Sequence, residues 1–398
     1  MVIYLDNNAT TKVDPDVVKT IIPYLEEFYY NPSSAYNQAL LTRHAIDSAR
    51  LNIMKFLGIE HDTELVFTGS ATESNSFAIN GVLGVSGNRK HIITTTVEHP
   101  AVFELCKDLE KRGYDVTYLH VDEDGNLNIK DLINAIREDT ALVSIMYANN
   151  ETGVVFPIEK LSRIVKLTDP KIVFHTDATQ AVGKIDINLK EQLTFVDLLS
   201  FSGHKIYAPK GVGALFLRKG TPIRPIIIGG HQEFGMRAGT ENISFIVALS
   251  KACLLSMEEP EEEKERLKSL RDELEIFVQK NIPEIKINGK NAPRICNTSD
   301  ISFYGVEGES ILYALNEHGI CCSTGSACSS GSLAPSHVLQ AMNVPFTYAH
   351  GSIRVSFGRF NTSKDLEQLK KFLPPVISKL REISPYWDNE KNIPIDED

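Results

Sequence analysis

The chain has 398 residues, 42% of them hydrophobic and 23% charged, which allows two domains and a large core and excludes a chain dominated by disorder. A formal net charge of −11 leaves no basic surplus to neutralise phosphates, so no nucleic-acid partner is expected. Residues 1–6 lack a basic and then long apolar leader, and no apolar run reaches the roughly 20 residues of a membrane span, so a cytoplasmic protein with no membrane partner is expected.

The opening Tyr4-Leu5-Asp6-Asn7-Asn8-Ala9-Thr10-Thr11 reads as a short extended arm, assigned residues 1–14 and expected to pack with a small domain. Asp14-Pro15 starts a helical pattern through Tyr24 and Phe28, Asn31-Pro32-Ser33-Ser34 breaks it, and helical periodicity resumes over 39–56. From residue 64 strands and helices alternate. Strands are expected at 64–67, 91–95, 115–119, 141–146, 172–175, 196–201 and 212–217, with helices from Ala71 and Pro100 and at 129–136 and 158–167. Such alternation implies an α/β domain, residues 15–257, with a mostly parallel sheet covered on both faces and its site at the carboxyl ends of the strands. Helices are then expected at 237–257 and 261–279; the intervening Glu258-Glu259-Pro260-Glu261 run is a solvated helix start. Strands near Ile285 and Ile301 and at 352–355, with helices from Gly308 and at 364–383, form a smaller α+β domain, residues 258–386, carrying a mobile Gly/Ser loop at 323–332. The tail, 387–398, is polar and expected to be flexible.

Polar clusters follow the strands. Lys205 ends one apolar run and Asp177 another; partial burial would favour a neutral, imine-forming lysine, and a fixed carboxylate can hold a pyridine nitrogen protonated. Together these are the two anchors of pyridoxal phosphate. Thr68-Gly69-Ser70-Ala71-Thr72-Glu73 can hold a phosphate at a helix start, or serve only as a capping box. His99 could stack on a ring or move protons, or be a core histidine; Asn150 and Gln180 could bond a phenolic oxygen, or only form turns. Ser202 and His204 could add donors to the phosphate. Arg354, a cation within an apolar strand, needs a carboxylate partner, either a substrate's or an internal one. Cys328 lies in Thr324-Gly325-Ser326-Ala327-Cys328-Ser329-Ser330-Gly331-Ser332, a linker-like setting suited to a reactive thiol. The six cysteines lack paired zinc spacing and are read as reduced, with Cys321 and Cys322 as small core residues and no intrinsic metal site.

The motifs YLDNNATT, SATESN, EHPAV, ANNETG, HTDATQ, SFSGHK, GMRAGTEN, STGSACSSGS and SIRVSFGR together resemble the cysteine desulfurases, the NifS-like branch of the class V aminotransferases. The resemblance implies an aspartate-aminotransferase-like fold of type I binding pyridoxal 5′-phosphate. It implies Lys205 as the Schiff-base lysine, Asp177 at the pyridine nitrogen, His99 over the ring, and Asn150 and Gln180 near the phenolic oxygen. Arg354 would take the substrate carboxylate, with Asn150 also binding the substrate, Ala71, Thr72, Ser202 and His204 the phosphate, and Thr240 the phosphate of the other subunit of a homodimer. Cys328 matches the persulfide-forming cysteine, which would take sulfur from L-cysteine, leave L-alanine and pass the sulfur to an iron–sulfur scaffold or another acceptor. That thiolate could also ligate a nascent iron–sulfur cluster transiently. Tyr36, Ala39, Ser76 and His231 depart from the usual motifs and bear on the substrate channel. The alternatives are a selenocysteine lyase, another class V aminotransferase, or a non-catalytic scaffold for iron–sulfur assembly partners. A second exchanging thiol at Cys322 is the weaker reading of that residue.

Overall fold

In the computed structural model, residues 2–258, 260–324 and 335–395 are described. A seven-stranded sheet runs in the order Leu65–Thr68, Gly213–Leu217, Leu198–Ser202, Val173–Asp177, Thr140–Ser144, His91–Thr95, Asp115–Leu119. From Leu198–Ser202 onward its neighbours pair in parallel, whereas Gly213–Leu217 is antiparallel to both of its neighbours. The sheet is therefore mostly parallel, as expected. Six of its strands read as near-continuous buried runs, which both-face coverage demands. One face packs on helices Ala71–Leu83 and Pro100–Lys111 through Phe77, Val82, Val102 and Leu109. The other packs on Asn37–Leu57, Ile158–Thr168 and Ile243–Leu255 through Ile53, Leu57, Leu161, Val165 and Leu249.

A second apolar core lies between a three-stranded antiparallel sheet, in the order Ser352–Ser356, Thr298–Phe303, Ile285–Asn288, and helices Pro260–Asn281, Gly308–Glu317 and Ser363–Glu382. Ile3 and Leu5 of the arm belong to this core, and Ile3–Tyr4 pairs in parallel with Ile320–Cys321. Beyond it the arm crosses to the large sheet, where Thr11 N donates to His204 O at 2.9 Å. The arm thus ties the two cores together beside the carboxyl ends of the large sheet.

Two expectations are corrected. The helix expected from residue 237 starts only at Ile243, capped by Asn242, because Gly239 adopts φ +108°, outside any right-handed helix. The tail, expected to be flexible, folds back onto Tyr304 through Trp387 and Ile395, and residues 396–398 lie outside the described residues. Trp387 is 3% exposed and lies against the Arg381 guanidinium, 3.8 Å from its ring centroid, while Trp387–Asp388 pairs with Ile393–Pro394. Burial of one indole with a cation on its face offsets the ordering of so short a segment.

Candidate active site

Sheet register brings the two central groups together. Asp177, the last residue of its strand, stands opposite Ser200, and the next strand ends at Ser202 in a tight turn, Gly203–Lys205. The Lys205 amine donates to the backbone oxygens of Asn8 and Ala9 at 2.6 and 2.7 Å, so the arm holds the lysine in place. The Asp177 carboxylate is fixed at both oxygens: Asn75 Nδ2 donates to Oδ2 at 2.6 Å and Thr179 N to Oδ1 at 2.9 Å. Both residues line one cavity of about 770 Å³, with the start of helix Ala71–Leu83 at its wall. Ser70 caps that helix, its hydroxyl accepting from Glu73 N at 3.2 Å, and the first-turn N–H groups of Ala71 and Thr72 face outward as at any helix start. A Cβ on Gly213 would fall 2.7 Å from Phe201 O and 2.8 Å from the Ser70 carbonyl carbon, so glycine alone lets this helix start lie against the strand.

The same cavity is lined by His99, Asn150, Gln180, Ser202, His204 and Arg354. His99 caps helix Pro100–Lys111, its Nδ1 accepting from Ala101 N at 3.1 Å. An accepting Nδ1 places the ring proton on Nε2, and burial lowers the ring's pKa, so the neutral form is favoured. Burial, and then the nearby Lys205, push His204 down to about 4. Its neutral ring shares a hydrogen bond of 3.1 Å with Thr10 Oγ1. Arg354 is 3% exposed; its Nη2 pairs with Asp6 Oδ1 at 2.7 Å, its Nη1 donates to Asn150 O at 3.2 Å, and its Nε has no partner among the described residues. An internal carboxylate therefore answers the sequence's question about this cation, and an unused donor remains. Thr240 is exposed and does not line the cavity. Cys328 and residues 325–332 of the expected loop lie outside the described residues. Ser323, at the loop's start, is buried and bridged to Arg354. Burial raises the Cys322 thiol's pKa, as for a small core residue.

Two buried acids beside the site, Glu98 and Glu151, went unread in the sequence. Glu98 Oε1 accepts from Thr95 Oγ1 and Met146 N, both at 2.9 Å, while its Oε2 has no partner among the described residues; Glu151 is hydrogen-bonded to the Ser336 hydroxyl. Burial pushes both carboxyls up from 4.5 to about 8. Over that range the folded chain keeps protons that the unfolded chain has lost, so these groups make stability fall as pH rises from about 4.5 to about 8. Glu151→Gln is expected to flatten the fall; chemical denaturation across this range checks it, and an unchanged slope would refute the assignment.

An amine, a fixed carboxylate, a neutral imidazole, an exposed helix start and a buried guanidinium on one cavity match the groups that pyridoxal phosphate and an amino-acid carboxylate require. Among the described residues, no cluster of three or more His, Cys, Asp or Glu side chains suits a metal ion. Comparison with known proteins agrees. The family model for class V aminotransferases matches residues 3–369. "Cysteine desulfurase 2" of Trichormus variabilis is 49% identical over 98% of this chain and 96% of its own. Among solved structures, a NifS-like protein superposes with a TM-score of 0.89 at 37% identity, covering 96% of this chain and 100% of that one. SspA in complex with cysteine superposes with a TM-score of 0.79 at 33% identity, covering 90% of this chain and 99% of that one. The chain belongs to the class V aminotransferase family, among its pyridoxal-phosphate-dependent cysteine desulfurases.

Proposed function

We propose that this enzyme takes sulfur from L-cysteine, releases L-alanine and leaves the sulfur as a persulfide on Cys328, for delivery to an iron–sulfur scaffold or another acceptor protein. The step balances without an oxidant: cysteine and one protein thiol become alanine and one persulfide. The meeting of Lys205, Asp177 and Arg354 on one cavity, in a chain of this family, carries the reading. A superposing neighbour bound to cysteine supports the substrate.

In this reading Lys205 would hold the cofactor's aldehyde carbon and Asp177 would keep its ring nitrogen protonated. Ala71 and Thr72, with Ser202 and His204, would receive its phosphate, and Asn150 and Gln180 would lie beside the phenolic oxygen. Bound pyridoxal phosphate supplies a ring that draws off the electrons of the substrate bonds being broken. The chain's part is to bind, orient and move protons. Arg354 is assigned the substrate carboxylate, which would share or replace its contact with Asp6. The released Lys205 amine and the neutral His99 are assigned the proton transfers, a task for which uncharged groups are suited near neutral pH. The Cys328 thiolate then accepts the sulfur.

A homodimer with sites at the interface is part of the proposal. Its support is an outer surface carrying Val18, Ile22, Leu25, Leu40, Leu41 and Tyr29, together with Ile228 at 87% exposure and the exposed Thr240. A cytoplasmic setting is supported by five free cysteines among the described residues. Among those residues, no helix is long and apolar enough to cross a membrane. Product analysis tests the reaction: with L-cysteine and a thiol reductant, the purified protein should form alanine and sulfide in equal amounts. A keto acid in place of alanine would assign transamination instead.

A further inference from the structure

One part-buried cation beside the site has no part in this reaction scheme. Lys184 follows the turn at Gly183, φ +77°, four residues beyond Gln180. It is part-buried, and its ammonium donates to Gln180 Oε1 at 2.5 Å. Gln180 Nε2 donates to the backbone oxygen of Asn8 at 2.9 Å, the same oxygen that accepts from Lys205 at 2.6 Å. Between Lys184 and Lys205 lies a second cavity of about 30 Å³, room for about one water.

A side-chain amide has an acceptor end and a donor end of nearly identical shape, and only its partners decide which way it points. An ammonium can only donate, and a peptide oxygen can only accept. Lys184 on one side and Asn8 O on the other therefore admit a single orientation of Gln180, with Nε2 beside Asn8, a residue lining the 770 Å³ cavity. One N–H of Nε2 serves Asn8; the second remains for an acceptor. We infer that Lys184 is a positioning residue for the reaction, locking the Gln180 amide so that an N–H, never its oxygen, meets the cofactor's phenolic oxygen. The inference rests on the reading that Gln180 contacts the cofactor.

Burial, and then Lys205, push Lys184 down to about 7. Below that value the ammonium can only donate and forces the orientation; above it the neutral amine keeps an N–H but gains a lone pair, and Asn8 O is then the partner that excludes the flipped amide. The other groups acting on it are Cys296 and Arg354. Tyr207, Glu263, Lys264 and Arg359 are the other titratable or charged groups, besides Cys296, that line the small cavity.

The test reads the pH midpoint of the bound cofactor's visible absorbance in the purified holoenzyme. A donor to the phenolic oxygen weakens its hold on a proton, so losing the donor raises the midpoint. Gln180→Leu and Lys184→Met should each raise it by about one pH unit. Lys184→Arg, which keeps the donor, should stay near the parent value. A rival account, in which Lys184 acts only by charge repulsion, predicts the same rise for Lys184→Met alone, so the deciding variant is the double one. Lys184→Met added to Gln180→Leu should produce no further shift. A further shift as large as that of Lys184→Met alone would overturn the lock in favour of simple charge repulsion, as would a Lys184→Met midpoint equal to the parent's. An unmoved Gln180→Leu midpoint would instead overturn the contact on which the inference rests. Thermal unfolding of the cofactor-free variants controls for folding: Lys184→Met should melt no lower than the parent, because it removes a desolvated amine.

Discussion

Lys205→Ala is expected to lower alanine formation from cysteine by roughly 10⁴-fold, the upper range for a positioned proton-transfer group, and to leave a cofactor that dialyses away. The lysine sits in a turn too tight for a neighbour to substitute for it, with its amine aimed by two carbonyl oxygens of the arm, Asn8 and Ala9. Its removal takes away the cofactor's anchor and the amine that would move protons. It also takes one donor from each of those carbonyls, but Asn8 O keeps Gln180 Nε2 at 2.9 Å, and the cavity of about 770 Å³ gives water access to replace the lost contacts. Unfolding should therefore change little. Retention of near-parent turnover would show that another group is the anchor.

Asp177→Asn is expected to lower kcat by about 10²–10³-fold while cofactor and cysteine still bind, a loss of the size seen when one fixed charge-stabilising group is removed. The substitution keeps shape and removes charge. Asn75 Nδ2 and Thr179 N, which donate to the carboxylate at 2.6 and 2.9 Å, would then face an amide, and one of them would meet a donor instead of an acceptor. The ring nitrogen would lose the anion that keeps it protonated. Steady-state kinetics separate the outcomes: a fall in kcat with KM nearly unchanged is expected, whereas a rise in KM alone would make Asp177 a binding group only.

Much of this site was legible because each central residue breaks a local rule. Asp177 and Lys205 end apolar runs where ordinary surface residues would be unremarkable, and Arg354 interrupts a buried strand. The partners that aim them were not legible. Asn75 reaches Asp177 across 102 positions of sequence, and the carbonyls that hold Lys205 belong to the arm, 196 and 197 positions away. No periodicity encodes contacts of that range. Gln180 was read as a cofactor ligand or a turn former, but the amine that orients it lies on the far side of a turn and has the composition of a surface lysine. The antiparallel strand Gly213–Leu217 did leave a signal: residues 203–212 are fewer than the dozen or so that a parallel crossover needs. Trp387 was the missed signal in the tail, since a lone indole in a polar segment finds a surface to cover.

The central claim is that sulfur leaves cysteine onto one thiol of this chain. Its most direct measurement is a single turnover of the holoenzyme with one equivalent of L-cysteine and no reductant, followed by peptide mass analysis and alanine quantification. The expected result is one alanine per chain and the mass of one added sulfur on the peptide carrying Cys328, with Cys321 and Cys322 unmodified. Alanine formed with the added sulfur on another cysteine, or with none on the protein, would contradict it.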